Sequence, residues 1–303
     1  MMNRSNAGPG MTASRASWPV VRGLMCSAGL VLLAGSAVAQ NKSTAPALEP
    51  FDKAQFDSRS TTIDNPWLPM KPGTRYVYQG TTVEDDGKVV PHRIEISITD
   101  LTKVIDGVRA LISYDLDISD GELAEAELAL YAQDKEGNVW RIGEYPEEYD
   151  NGKMSKAPAW IHGFEGARAG IMMKSKPELG TPSYSQGWGP AVDWTDRGQT
   201  HQMGLTTKVR AGAYKDVLVI KETSASEGEA YQLKYYARGV GNVKVGWSGA
   251  DKNKETLELA RIEKLSPKAI DEVRAKALKL EKSAYVQSKN VYAKTAPAER
   301  LPK

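Results

Sequence analysis

The pattern that most restricts this chain is a strict two-residue alternation interrupted by Asp-Gly pairs. Val108, Ala110, Ile112, Tyr114, Leu116 and Ile118 occupy every second position, and Asp106-Gly107 and Asp120-Gly121 stand at the two ends. Successive side chains of a strand point to opposite faces, and Asp-Gly favours the tight turns that join antiparallel neighbours. The pattern continues on both sides. Ile94, Ile96 and Ile98 alternate with Glu95, Ser97 and Thr99, while Ala124, Ala126, Leu128 and Leu130 share a face on the returning strand. Glu136-Gly137-Asn138 then turns into Val139-Trp140-Arg141-Ile142, and Tyr76, Val77, Tyr78 and Val83 precede the whole series. This predicts an antiparallel meander of about five or six strands. A second meander is predicted over 205–265, with candidate strands 206–210, 217–223, 230–237, 241–247 and 256–264 separated by Gly212, Glu227-Gly228, Gly239 and Gly249. An open sheet of about ten strands curls or closes. The expected fold class is mainly β: a single curved antiparallel sheet, either a half-barrel or a barrel-like shell.

The two ends differ from this core. Arg4, Arg15 and Arg22 precede an apolar run from Leu24 to Ala39 that closes on Ala37-Val38-Ala39. Basic, then apolar, then small is the order of a secretory signal peptide, with cleavage expected after Ala39. The run is short for a membrane span. Cys26 lies inside it, behind the bulky Met25, where a lipid-carrying cysteine would not stand. Cleavage removes that single cysteine and leaves a mature chain without disulfide or thiolate chemistry. It also removes three arginines, leaving 37 Lys+Arg against 38 Asp+Glu. The basic balance of the full chain therefore gives no reason to expect nucleic acid as a partner. No other stretch is long and apolar enough to span a membrane.

Residues 40–50 are polar and are expected to form a flexible leader. The segment 63–73 holds three prolines and reads as an extended lead-in anchored by Trp67 and Leu68. After residue 265 the period changes. Ser266 can cap a helix that Pro267 opens, and Ile270, Val273, Ala277, Leu280 and Ala284 form one stripe, which predicts a helix over 266–289. Its lysine-rich opposite face is expected to be solvated. Residues 290–303 are expected to be disordered.

Between the meanders, residues 145–204 show little periodicity but carry Trp160, His162, Trp188, Asp193, Trp194 and His201. A long irregular segment in a compact domain is commonly functional, and this one is expected to cover a mouth or edge of the sheet. These residues, with Tyr131, Trp140 and Glu144 on the preceding hairpin, are the candidate ligand-binding set. A core role for Tyr131 and Trp140 is the competing reading. The histidines His92, His162 and His201 lack short-range ligand spacing, so no metal and no other cofactor is expected, and His92, beside a turn, is expected to be exposed. There is no Gly-x-Ser-x-Gly elbow for serine chemistry. Glu144, Glu147, Glu148, Asp193 and Asp196 are carboxylates that could serve an envelope hydrolase. The acidic series Asp115, Asp117, Asp120, Glu122, Glu125 and Glu127 brackets a turn, and like charges facing each other across strands are costly unless solvated. It is expected to form a wet face. A curved shell leaves a concave side suited to an apolar or amphipathic ligand. A carrier of a small hydrophobic or amphipathic molecule is therefore the leading expectation, with a hydrolase or a non-catalytic envelope component as alternatives.

The segments IDNPWLPMKPGTRYVYQG (63–80) and YAQDKEGNVWRIGE (131–144) resemble those of a family of secreted or lipid-anchored bacterial proteins of unassigned function. The Phe-Asp pairs at 51–52 and 56–57, Val217-Leu218-Val219 and the stretch Tyr235 to Gly241 are similar as well, so the resemblance covers roughly 51–265. It implies export and a β fold and adds no chemistry. The family carries an acid and a Trp just before the Tyr-Ala-Gln-Asp stretch, where this chain has Ala129 and Leu130.

Overall fold

The computed structural model describes residues 47–301. The signal-like segment 1–39 and residues 40–46 lie outside the described residues. The first meander comprises β1 (Thr74–Val83), β2 (Val89–Ile105), β3 (Val108–Ser119), β4 (Glu122–Gln133) and β5 (Val139–Asp150). Its turns are the Asp-Gly pairs expected. Asp106 and Gly107 have φ 46° and 82°, and Asp120 and Gly121 have φ 48° and 86°. Two consecutive positive φ values give the turn whose twist matches antiparallel strands, and Asp and Gly tolerate them best.

Residues 145–204 are less irregular than their sequence suggests. They complete β5 and add β6 (Lys153–Lys156), β7 (Trp160–Ile161), β8 (Arg168–Met173), β9 (Tyr184–Ser185) and β10 (Gly187–Trp188). The second meander follows as β11 (Arg197–Val209), β12 (Gly212–Thr223), β13 (Ala230–Ala237), β14 (Gly241–Gly249) and β15 (Thr256–Lys264). β1 pairs with β15, from Thr74 opposite Lys264 to Thr81 opposite Thr256, and so joins the meanders into one antiparallel sheet. It has more strands than the ten or so expected, because pieces too short to show a period still pair.

The sheet is not closed by a ladder between two full strands. Its ordered path begins at β10 and ends at β9, with β10 on β8 and β9 on β11. These two dipeptides are separated only by Gln186, so one short segment carries both ends of the sheet. The fit there is tight: a Cβ on Gly170 would come within 2.1 Å of the Gly187 backbone nitrogen. The leader also reaches this seam, where Glu49 Oε1 accepts from the Ser185 backbone N–H at 3.1 Å. Its last residues, 47–50, are therefore docked.

The helix α1 (Pro267–Gln287) begins as expected, with Ser266 Oγ accepting from the Ala269 N–H at 3.2 Å. Its Ala277, Leu280 and Ala284 pack in one cluster with Ala126, Leu128, Leu130 and Ile142 of the sheet. The chain beyond it is ordered up to residue 301, contrary to the expectation of a disordered tail. Tyr292 is fully buried, and β16 (Glu299–Arg300) adds to β2. The cause lies in β2. Lys103, fully buried, donates to Glu281 at 2.8 Å and to the Tyr285 hydroxyl at 2.9 Å and lies 4.3 Å above the Tyr292 ring. A buried ammonium needs such partners, and a sequence period does not reveal them.

Candidate functional site

The alternation of β3 and β4 places Asp115 opposite Glu127 and Asp117 opposite Glu125. The other face of β4, with Ala126, Leu128 and Leu130, is the one α1 covers. The acids therefore point to the inside of the shell. The solvated face expected for this series is, at these four residues, the lining of a cavity. In β5 the register shifts opposite Leu130 and Tyr131, so that Arg141 faces Tyr131 and Glu144 faces Ala129. Residues three apart in a straight strand face opposite ways. The bulge corrects the phase and turns both Arg141 and Glu144 inward.

These side chains line a cavity of about 250 Å3. That is just below the roughly 300–1,000 Å3 typical of small-molecule sites. Part of its wall is apolar, with Leu68 and Met70 of the proline-rich lead-in, Ile94, Ile96, Ile98 and Leu257. Beside them, with Ile94 opposite Asp117 and Ile96 opposite Asp115, the wall is acidic: Asp115, Asp117, Glu125, Glu127, Glu144, Asp196 and Glu255 line it, with Arg141 and Lys234 as the bases of the lining.

Arg141 bridges Glu127 and Glu144, the latter at 2.6 Å, and stacks 5.4 Å from the Tyr131 ring and 5.3 Å from the Trp194 ring. Lys234 pairs with Glu222 at 2.6 Å. His92, expected to be exposed, is 2 % exposed and stands behind the wall, with Nε2 2.7 Å from Asp117 and Nδ1 3.0 Å from Glu255. Burial disfavours its charged form, but the hydrogen bonds and charges of these two carboxylates outweigh that and push its pKa up to about 10. Such a doubly bridged imidazolium is a cross-brace between the strands it touches.

Burial raises the pKa of four other cavity acids. Burial and then Glu127 push Asp115 well up, burial and then Glu127 do the same to Glu125, and Asp196 reaches about 7 through burial and Glu222. For Glu144, burial outweighs Arg141, and Glu127 and Asp196 add to the rise. The Trp160 indole favours the ionised Glu144, but its N–H makes no hydrogen bond of ordinary geometry. Glu144 Oε1 and Asp115 Oδ1 accept no hydrogen bond, and the Trp194 N–H donates none.

Of the nine candidate residues, the structure brings Tyr131, Glu144 and Trp194 together on the cavity wall. Trp140 packs outside it with Phe51 and Phe56, its N–H on Asp134 at 2.8 Å. His162 also belongs to that outer layer, 4.1 Å from the Phe51 ring, with Nδ1 accepting from the Ala169 N–H at 3.0 Å. Trp160 stacks behind the wall on Trp194 at 5.8 Å. Trp188 is half-buried in β10, and Asp193 and His201 are exposed; none of the three lines the cavity. Asp115, Glu125, Glu127, Arg141, Asp196 and Lys234 were not in the candidate set. The same-face acidic series was the available signal for the first three. Among the described residues, no group of three or more His, Cys, Asp or Glu is arranged to hold a metal ion, and no helix is long and apolar enough to cross a membrane.

Fold and site together define an antiparallel shell with helix-covered outer strands and an acid-lined interior. No protein-family model and no curated protein matches the chain. Two crystal structures are similar in fold. One is a Bacteroides fragilis protein described as exported, with a YmcC-like fold: 12 % identity, TM-score 0.39, covering 65 % of this chain and 99 % of that one. The other is a Parabacteroides distasonis protein described as a lipoprotein: 11 % identity, TM-score 0.35, covering 67 % of this chain and 99 % of that one. Both likenesses are too distant to bear on activity.

Proposed function

We propose that this is an exported binding protein that carries a small amphipathic molecule inside the shell. The observation that carries this reading is the cavity itself, about 250 Å3 in volume with both apolar and acidic residues in its lining. A site with one dry wall and a few convergent polar groups is suited to holding and orienting a small molecule. The basic, apolar and small-residue order of positions 1–39 supports export. The test is native against denaturing mass spectrometry of the mature protein taken from its own compartment. A discrete extra mass that is lost on denaturation is the expected result.

A second reading is favoured by one feature. Glu144 and Asp196 both line the cavity, and burial raises the pKa of both, that of Asp196 to about 7. A protonated carboxyl beside an ionisable one can serve as general acid and base in a hydrolase. No histidine lines the cavity to share that work. A bare chain mass under native conditions would favour this reading over the carrier.

A further inference from the structure

We propose that the ligand is a primary amine carried on a small apolar skeleton, its ammonium group seated on Glu144 of the acid-lined wall and its carbon chain against the apolar residues of the lining. This deepens the binding-protein reading and rests on it. The cavity wall has seven acids and two bases, and both bases are already engaged: Arg141 with Glu127 and Glu144, and Lys234 with Glu222. His92 satisfies Asp117 and Glu255 from behind. Asp115, Glu125 and Asp196 are left with no ion pair among the described residues.

The second observation is independent of this charge count. Glu144 is 0 % exposed, yet its Oε1 has no hydrogen-bond partner, and Asp115 Oδ1, two strands away in the sheet, has none either. Buried acceptors without donors are rare and costly. A purely apolar ligand would leave them unsatisfied, and a carboxylate ligand would bring further acceptors and no donor. An ammonium group brings three N–H donors and a positive charge on a single stem. A quaternary ammonium has no N–H to give the orphaned carboxyl oxygens, so the fit is to an amine that keeps its N–H donors.

Seating the ammonium favours the ionised carboxyls and so releases protons. The groups facing Glu144 are Arg141 on its own strand, Glu127, Asp196 and Trp160; those facing Asp115 are Glu127, Arg141 and Ser113. Asp196 among them is raised in the same way, so binding tightens as pH rises until the amine itself deprotonates.

Titration calorimetry of the mature protein at pH 7, in two buffers of different ionisation enthalpy, separates the possibilities. The probes are hexylammonium, hexanol, hexanoate and hexyltrimethylammonium. Hexylammonium is expected to bind at least about tenfold more tightly than the other three, the effect of one or two charge-assisted hydrogen bonds. Its heat is expected to differ between buffers by the protons released. Glu144→Gln is expected to remove that preference, bringing hexylammonium binding down to the level of hexanol. If this variant does not fold, Asp115→Asn provides the same comparison. Hexanol or hexanoate binding as tightly as hexylammonium overturns the inference, as does no binding by any probe. A bound mass retained in the native spectrum would in either case leave the carrier reading intact.

Discussion

Asp196 is a carboxylic acid that the fold keeps protonated near neutrality. Its burial and Glu222 raise the pKa, Lys234 and Arg141 oppose them, and the result is about 7. In the unfolded chain an aspartate titrates near 3.9. Between about pH 4 and 7 the folded state therefore holds a proton that the unfolded state has lost, and stability falls as pH rises through that window. Asp196→Asn keeps the size and removes the titration. It is expected to flatten this part of the pH profile and to stabilise the unliganded protein at pH 8, by up to roughly 4 kcal/mol. Urea unfolding at several pH values measures this, and an unchanged slope would contradict the assignment. His92 acts in a different window. With a folded pKa of about 10, it contributes stability in full below its unfolded value near 6.5 and loses it as pH rises towards 10.

Among the elements, the buried charge of Lys103 ties α1 and the tail behind it to β2, beside the apolar stripe of the helix and the Arg274–Asp100 pair at 2.7 Å. Lys103→Met would leave the Glu281 carboxylate with only neutral donors: the hydroxyls of Tyr285 and Tyr292 and the Ala298 N–H. Breaking a buried pair from one side costs on the order of 3–5 kcal/mol. The expected result is a loss of that size in chemical unfolding, with faster amide exchange across 281–300. Pairing Lys103→Met with Glu281→Gln is expected to recover most of it; no recovery would mean that packing of the lysine stem, and not charge, holds the helix. The helix itself was legible from Ser266, Pro267 and its apolar stripe. The tail was not, because its order comes from single contacts to β2 and not from a repeat.

For the molecule as a whole, the shell depends on the seam where one segment carries both ends of the sheet. At Gly170 an added Cβ would lie 2.1 Å from the Gly187 nitrogen and 2.4 Å from the Gln186 carbonyl carbon. Backbone atoms cannot rotate away, so Gly170→Ala is expected to part β8 from β10. A cost of about 1–3 kcal/mol is usual for overpacking, and exchange protection should fall at 168–173 and 184–188 while β2 to β4 stay protected. Uniform loss of protection would show instead that the seam and the sheet open together. What the sequence by itself determined was local: the strands from their two-residue period, the turns from Asp-Gly, the helix from its cap and stripe. It also determined that Asp115 and Asp117 share one strand face and Glu125 and Glu127 another, because alternation requires it. Alternation does not say what covers a face. Only the tertiary structure decided that, through β1 on β15, the seam at 184–188, α1 on the outer side and the bulge in β5. Those pairings join residues far apart in the chain, so the acidic face that looked made for water became the lining of the cavity.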